Sequence, residues 1–72
     1  MIRVMVVDDS ALVRKIATDI LSADAGISVV ATASQGEFAL QKLTREVPDV
    51  ITLDMEMPGM GGLETIRQIM AV

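Results

Sequence analysis

Val4-Met5-Val6-Val7-Asp8-Asp9-Ser10, near the start of the chain, decides the architecture. Residues 3–7 form a short, nearly continuous apolar run rich in β-branched residues, the pattern of a strand buried on both faces of a parallel sheet. Two acids close the run, and Ser10 stands where the N-cap of a following helix belongs. Leu12, Val13, Ile16, Ala17, Ile20 and Leu21 then recur at helical spacing until Ala25-Gly26 stops the pattern. The Leu12, Ile16 and Ile20 stripe is expected to be core, and Arg14-Lys15 a solvated helix face.

Outward from this unit the same logic repeats. Ile27–Ala33 is a second β-rich run, and Ser34 with Glu37 three residues on suggests a capping box for a helix carrying Phe38, Ala39, Leu40 and Leu43, ended by Pro48-Asp49. Val50–Leu53 is a third apolar run closing on Asp54. A loop over residues 55–62 then leads into Leu63, Ile66, Ile69 and Met70 at helical spacing. The alternation β-α-β-α-β-α predicts an α/β architecture, a parallel sheet with right-handed crossovers and helices on both faces.

Composition sets limits. The chain has 72 residues, 51% of them hydrophobic and 22% charged, which excludes both a disordered chain and a membrane span. No stretch approaches the roughly 18 apolar residues of a transmembrane helix, and the apolar start is too short for a signal peptide, so a cytoplasmic location is expected. Ten acids against six bases give a net charge of −4, with the bases scattered and one aromatic residue, Phe38. Neither a basic stripe nor stacking aromatics is present, so direct nucleic-acid binding is not expected. The chain also lacks Cys and His, and a domain this small buries only about 60% of its unfolded surface, so it has no staple for a marginal core.

In a parallel sheet every strand delivers its C-terminal end to one edge, so Asp8-Asp9 and Asp54 converge if strands one and three are neighbours. Two unit charges roughly 4 Å apart repel by about 4 kcal/mol at an effective dielectric of about 20. Three carboxylates together therefore take up a proton or hold a cation. With oxygen ligands only, that cation is expected to be Mg²⁺. An isolated Asp after a strand is more often a turn or capping residue; the convergence of three on adjacent strands is what favours a site, and spacing alone does not name a nucleophile. Met55-Glu56-Met57-Pro58-Gly59-Met60-Gly61-Gly62 follows Asp54 directly. It reads as a loop whose backbone approaches a ligand, or as a turn whose Met side chains fill gaps, and it matches no nucleotide-binding glycine pattern.

These residues together resemble the response-regulator receiver family of two-component signalling. The segments that carry the resemblance are Val4 to Ser10 with Arg14, then Pro48-Asp49-Val50-Ile51-Thr52-Leu53-Asp54, then Met57-Pro58 leading to Gly62-Leu63-Glu64. Within the family, Ser10-Ala11-Leu12-Val13-Arg14 and Thr52 to Pro58 are most similar to receivers of chemotaxis regulators of the protein-glutamate methylesterase type. The resemblance implies a flavodoxin-like (βα)3 partial receiver over residues 1–72, with sheet order 2-1-3. It implies Asp54 as phosphoacceptor, taking a phosphoryl group from a sensor histidine kinase. Asp9 is then a direct Mg²⁺ ligand, Asp8 acts mainly through water, the Glu56 backbone carbonyl is a third protein ligand, and Pro58 and Gly62 shape the loop. Gly61 stands where the family commonly has Asp, which weakens a polar helix cap.

Family receivers have five βα units, and the Ser or Thr and the Lys that meet the phosphoryl group follow the third; Lys15 and Lys42 cannot take that role. The parent protein is expected to be a methylesterase/deamidase, with no esterase activity in this stretch. Strand three, an edge in the order 2-1-3, would be open for pairing, so a homodimer or higher oligomer through the strand 50–53 edge is expected. The alternative is a half-receiver that acts only as an interaction unit without phosphotransfer. An aspartyl-phosphate phosphatase is disfavoured, because such enzymes place the nucleophile after their first strand.

Overall fold

The computed structural model describes residues 1–71. Six elements follow in the expected order: β1 (Ile2–Val7), α1 (Ala11–Ser22), β2 (Ile27–Ala33), α2 (Gly36–Lys42), β3 (Val50–Leu53) and α3 (Gly61–Met70). The sheet has the order β2-β1-β3, with β1 parallel to both neighbours. Val4–Val7 pairs residue by residue with Val50–Leu53, which puts Asp8 and Asp54 side by side one step beyond the ladder. The central position of β1 explains its apolar run. Val4, Met5, Val6 and Val7 are all buried, and Met5 is 0% exposed.

Because side chains alternate across a strand, β1 serves two layers. Met5 and Val7 join Ala33, Ala39 and Met57 in one core cluster, flanked by Ala31, Leu43, Ile51 and Leu53. α2 covers that cluster and packs beside α3, while α1 lies over β1 and β2. Ser10 caps α1 as its sequence position predicts: its Oγ accepts the Val13 N–H at 3.2 Å.

Three local expectations are corrected. Leu12, Ile16 and Ile20 are 67%, 47% and 68% exposed, and α1 has no buried residue. The covered line of the helix is Arg14, Ala17, Thr18 and Leu21, so the apolar period is right but its centre points away from the strands underneath. A groove of about 480 Å³, lined by Val13, Ala17, Ile20 and Leu21 with Val6 and Thr52, stays open between α1 and β3. The capping box at Ser34 does not form. α2 starts at Gly36 with Gln35 as its N-cap and no side-chain cap bond, which leaves Ser34 one residue too early. α2 also ends at Lys42, well before Pro48, with Leu43 as its C-cap.

Candidate carboxylate site

The ends of β1 and β3 build the site through backbone ladders that continue past the strands. The Asp8 N–H donates to the Ala33 carbonyl and the Asp54 N–H to the Val7 carbonyl, each at 3.0 Å. Both acids are thereby fixed on the same sheet edge. Asp8 is further held by its own turn: its Oδ1 accepts the Ser10 N–H at 2.9 Å, and its carbonyl accepts from Arg14 Nη1 at 2.8 Å. Arg14 thus ties α1 to the acidic loop instead of forming the solvated face expected for it.

Asp54 Oδ1 accepts the Glu56 N–H at 2.9 Å, which folds the chain back just after the strand. Asp8, Asp9 and Asp54 each present a carboxylate oxygen within 4.8 Å of the others. The Asp9 carboxyl is held above its ordinary value of 3.8, first by partial desolvation, then by a hydrogen bond with Asp54 and the negative charges of Asp54 and Asp8. A group that resists ionisation beside two other acids is what a cation would relieve.

The donor set suits a hard divalent ion. Two oxygens on an octahedral Mg²⁺ ion, with bonds of about 2.1 Å, stand about 3.0 Å apart when adjacent and about 4.2 Å apart when opposite. A triad whose oxygens lie within 4.8 Å of one another can therefore surround such an ion by drawing in, with a water making up the span for one of them. The groups that could ligate are all oxygens, with no His or Cys anywhere in the chain to favour a softer metal.

The loop after Asp54 fills a gap in the core with one of its Met side chains. Met57 is buried in the core cluster while Met55 is exposed. Gly59 and Gly61 both have φ +75°, the left-handed region that glycine enters without strain. α3 starts at Gly61 with Met60 as its N-cap and has no side-chain cap bond. Pro58 is exposed at the turn, and Gly62 is buried where α3 starts.

Thr65 and Gly36 escaped the sequence reading. Thr65 is fully buried against Gly36, where α3 meets α2. The only signal in the sequence was a hydroxyl on the inner side of a helix that otherwise reads as apolar.

Against known proteins, the model of the response regulator receiver domain matches residues 4–72. The chain belongs to the response regulator receiver family. A protein-glutamate methylesterase/protein-glutamine glutaminase of Nocardioides sp. is 54% identical over 70 residues, covering 97% of this chain and 19% of that protein. The response regulator domain of Thermotoga maritima CheB superposes with a TM-score of 0.94 at 44% identity, over 99% of this chain and 53% of that one. A structure of the P1 domain of CheA3 in complex with CheY6 from R. sphaeroides matches with a TM-score of 0.80 at 40% identity, over 93% of this chain and 53% of the matched chain. The receiver chain described here thus spans about a fifth of the curated relative and about half of the solved receivers. Its 2-1-3 parallel sheet with three helices is the receiver fold expected from the sequence.

Proposed function

We propose that residues 1–72 are the N-terminal portion of the receiver (response regulatory) domain of a chemotaxis regulator of the protein-glutamate methylesterase type. In this reading Asp54 takes a phosphoryl group from the phosphohistidine of a sensor kinase. One observation carries it: three carboxylates from two neighbouring strands lie within 4.8 Å of one another, on the segments that resemble the family motif. Asp8 and Asp54 are each aimed by an amide two residues on, Asp9 is the acid whose proton a cation would relieve, and the choice of Asp54 as acceptor comes from its place in the family motif.

The step is a transfer between nucleophiles. A carboxylate oxygen of Asp54 attacks phosphorus and forms a C–O–P bond. The bond from phosphorus to the histidine nitrogen breaks, and its electron pair returns to the imidazole. Asp9 and Asp54 would hold Mg²⁺ through their carboxylates, Asp8 through water, and Glu56 through its carbonyl. When bound, the ion offsets the negative charge of phosphoryl oxygens approaching three acids. What the chain itself supplies is orientation: the Glu56 N–H fixes one oxygen of Asp54, and Arg14 and Ser10 fix the turn that carries Asp8 and Asp9.

We further propose that the chain self-associates through β3. That strand is paired only with β1 among the described residues, and Val13, Ala17, Ile20 and Leu21 of α1 line the open groove beside it. An unpaired apolar strand edge next to an uncovered apolar helix face favours a second copy. Incubation with a chemotaxis kinase P1 domain carrying radiolabelled phosphohistidine tests the transfer. Label should move to this chain and not to its Asp54→Asn variant; label that stays on P1 at all times would contradict the assignment. Sedimentation that gives a folded monomer at high micromolar concentration would contradict self-association.

A further inference from the structure

We propose that Gly36 and Thr65 are positioning residues for the carboxylate site. The first turn of α2 holds the N-terminal half of α3, and α3, through Gly62, holds the backbone of Asp54 and Met55. The inference rests on reading Asp8, Asp9 and Asp54 as a cation site, and it concerns residues that contribute no ligand to it.

Three contacts make a continuous path. Thr65 is the one buried polar side chain among the described residues, and its hydroxyl donates to the Gly61 carbonyl at 2.6 Å. That hydroxyl occupies a notch that exists because Gly36 has no side chain. A Cβ on Gly36 would stand 1.9 Å from Thr65 Oγ1 and 3.1 Å from Thr65 Cβ. At the start of α3, a Cβ on Gly62 would stand 2.5 Å from Met55 Cα and 2.8 Å from the Asp54 carbonyl oxygen. The Gly62 N–H also donates to the Met55 carbonyl at 3.2 Å.

The last contact is backbone on backbone, with no long side chain to absorb a displacement. Close-packed groups pass strain on instead of dissipating it. A shift of α3 against α2 therefore reaches the Asp54 and Met55 peptide units directly. Those units aim the Asp54 carboxylate and carry the Glu56 amide that bonds it at 2.9 Å. Gly36 fits this role better than a role in local helix stability, because glycine in a helix is itself unfavourable and the close approach of Thr65 gives it a reason to be there.

The test is a double-variant cycle in the full 72-residue chain. Gly36→Ala drives a methyl into the notch, Thr65→Ala empties the notch, and the pair together refills it. Each single variant should raise the Mg²⁺ Kd about tenfold, at the low end of the range for groups standing behind a metal ligand, and the double variant should lie closer to wild type than either single one, because the clash is relieved while the bond to the Gly61 carbonyl stays lost. Exchange of the Glu56 and Gly62 amides, followed by NMR without metal, should accelerate in both single variants and recover in the pair. Thr65→Ala introduces no clash and folds even where Gly36→Ala does not. A cycle in which only the melting temperature moves, with Mg²⁺ affinity and amide exchange at wild-type values, would reduce the seam to ordinary packing and overturn the proposal. Should wild type itself bind no Mg²⁺, the cation reading fails separately, and the amide exchange measured without metal still decides the positioning claim.

Discussion

Gly62→Ala joins the fold to the site at a single atom. The added Cβ would lie 2.5 Å from Met55 Cα and 2.8 Å from the Asp54 carbonyl oxygen, where non-bonded carbons prefer about 3.5–4.0 Å. Both opposing atoms are backbone, so α3 has to withdraw from β3 by about an ångström to reach ordinary contact. Overpacking of this kind costs about 1–3 kcal/mol. Against it stands a gain of about 0.4–1 kcal/mol, since alanine narrows the unfolded ensemble. The net loss is about 1–2 kcal/mol, and for a domain of this size about 1 kcal/mol moves the melting temperature by about 4–8 °C. Thermal melts by circular dichroism should therefore show a fall of about 5–15 °C. Gly26→Ala is the control: its Cβ would meet only the exposed Asp24 side chain at 3.3 Å, so its stability should change by less than about 0.5 kcal/mol. A Gly62→Ala protein as stable as wild type would mean that α3 is free to move off the Asp54 backbone, and the packing argument would be refuted.

Other outcomes follow from single residues. Gly61 has φ +75° with open space around it, so Gly61→Ala should cost about 1–2 kcal/mol of left-handed strain while Gly61→Asn costs clearly less, which urea unfolding of the two variants will compare. Asp9 has its carboxyl raised in the folded chain, so the folded state binds that proton more tightly than the unfolded state, and the contribution of Asp9 to stability falls as pH rises from near 3.8 through the raised value. Without metal, wild type should match Asp9→Asn in acid and become the less stable of the two as pH approaches neutrality; a stability difference that does not change with pH would refute the coupling. Val50→Lys places a charge on the exposed β3 edge and should shift sedimentation toward monomer, whereas unchanged association would place the contact elsewhere.

The sequence carried the backbone plan to the residue in two strands. Ile27–Ala33 and Val50–Leu53 end where their apolar runs end, because a buried parallel strand writes itself as an uninterrupted β-branched stretch. The acidic site was legible for the same reason, since Asp8-Asp9 and Asp54 close runs that lie side by side. Helix α1 departs from its sequence pattern. Its apolar period was visible, but which side of it meets the sheet depends on what else lies over β1 and β3, and Leu12, Ile16 and Ile20 are left exposed while Val13, Ala17, Ile20 and Leu21 line an open groove. The capping box at Ser34 fails because α2 starts one residue later than the motif needs, and its first residue, Gly36, packs against Thr65. That contact is between α2 and α3, far apart in sequence, and a lone glycine and a lone threonine do not advertise it.

The most direct measurement of what this chain does is intact mass after incubation with Mg²⁺ and acetyl phosphate, a small donor that needs no kinase. One phosphoryl adduct per chain is expected, absent in Asp54→Asn and absent when the ion is chelated. A wild-type chain that acquires no adduct, or an Asp54→Asn chain that acquires the same one, would contradict the assignment of Asp54 as the phosphoacceptor.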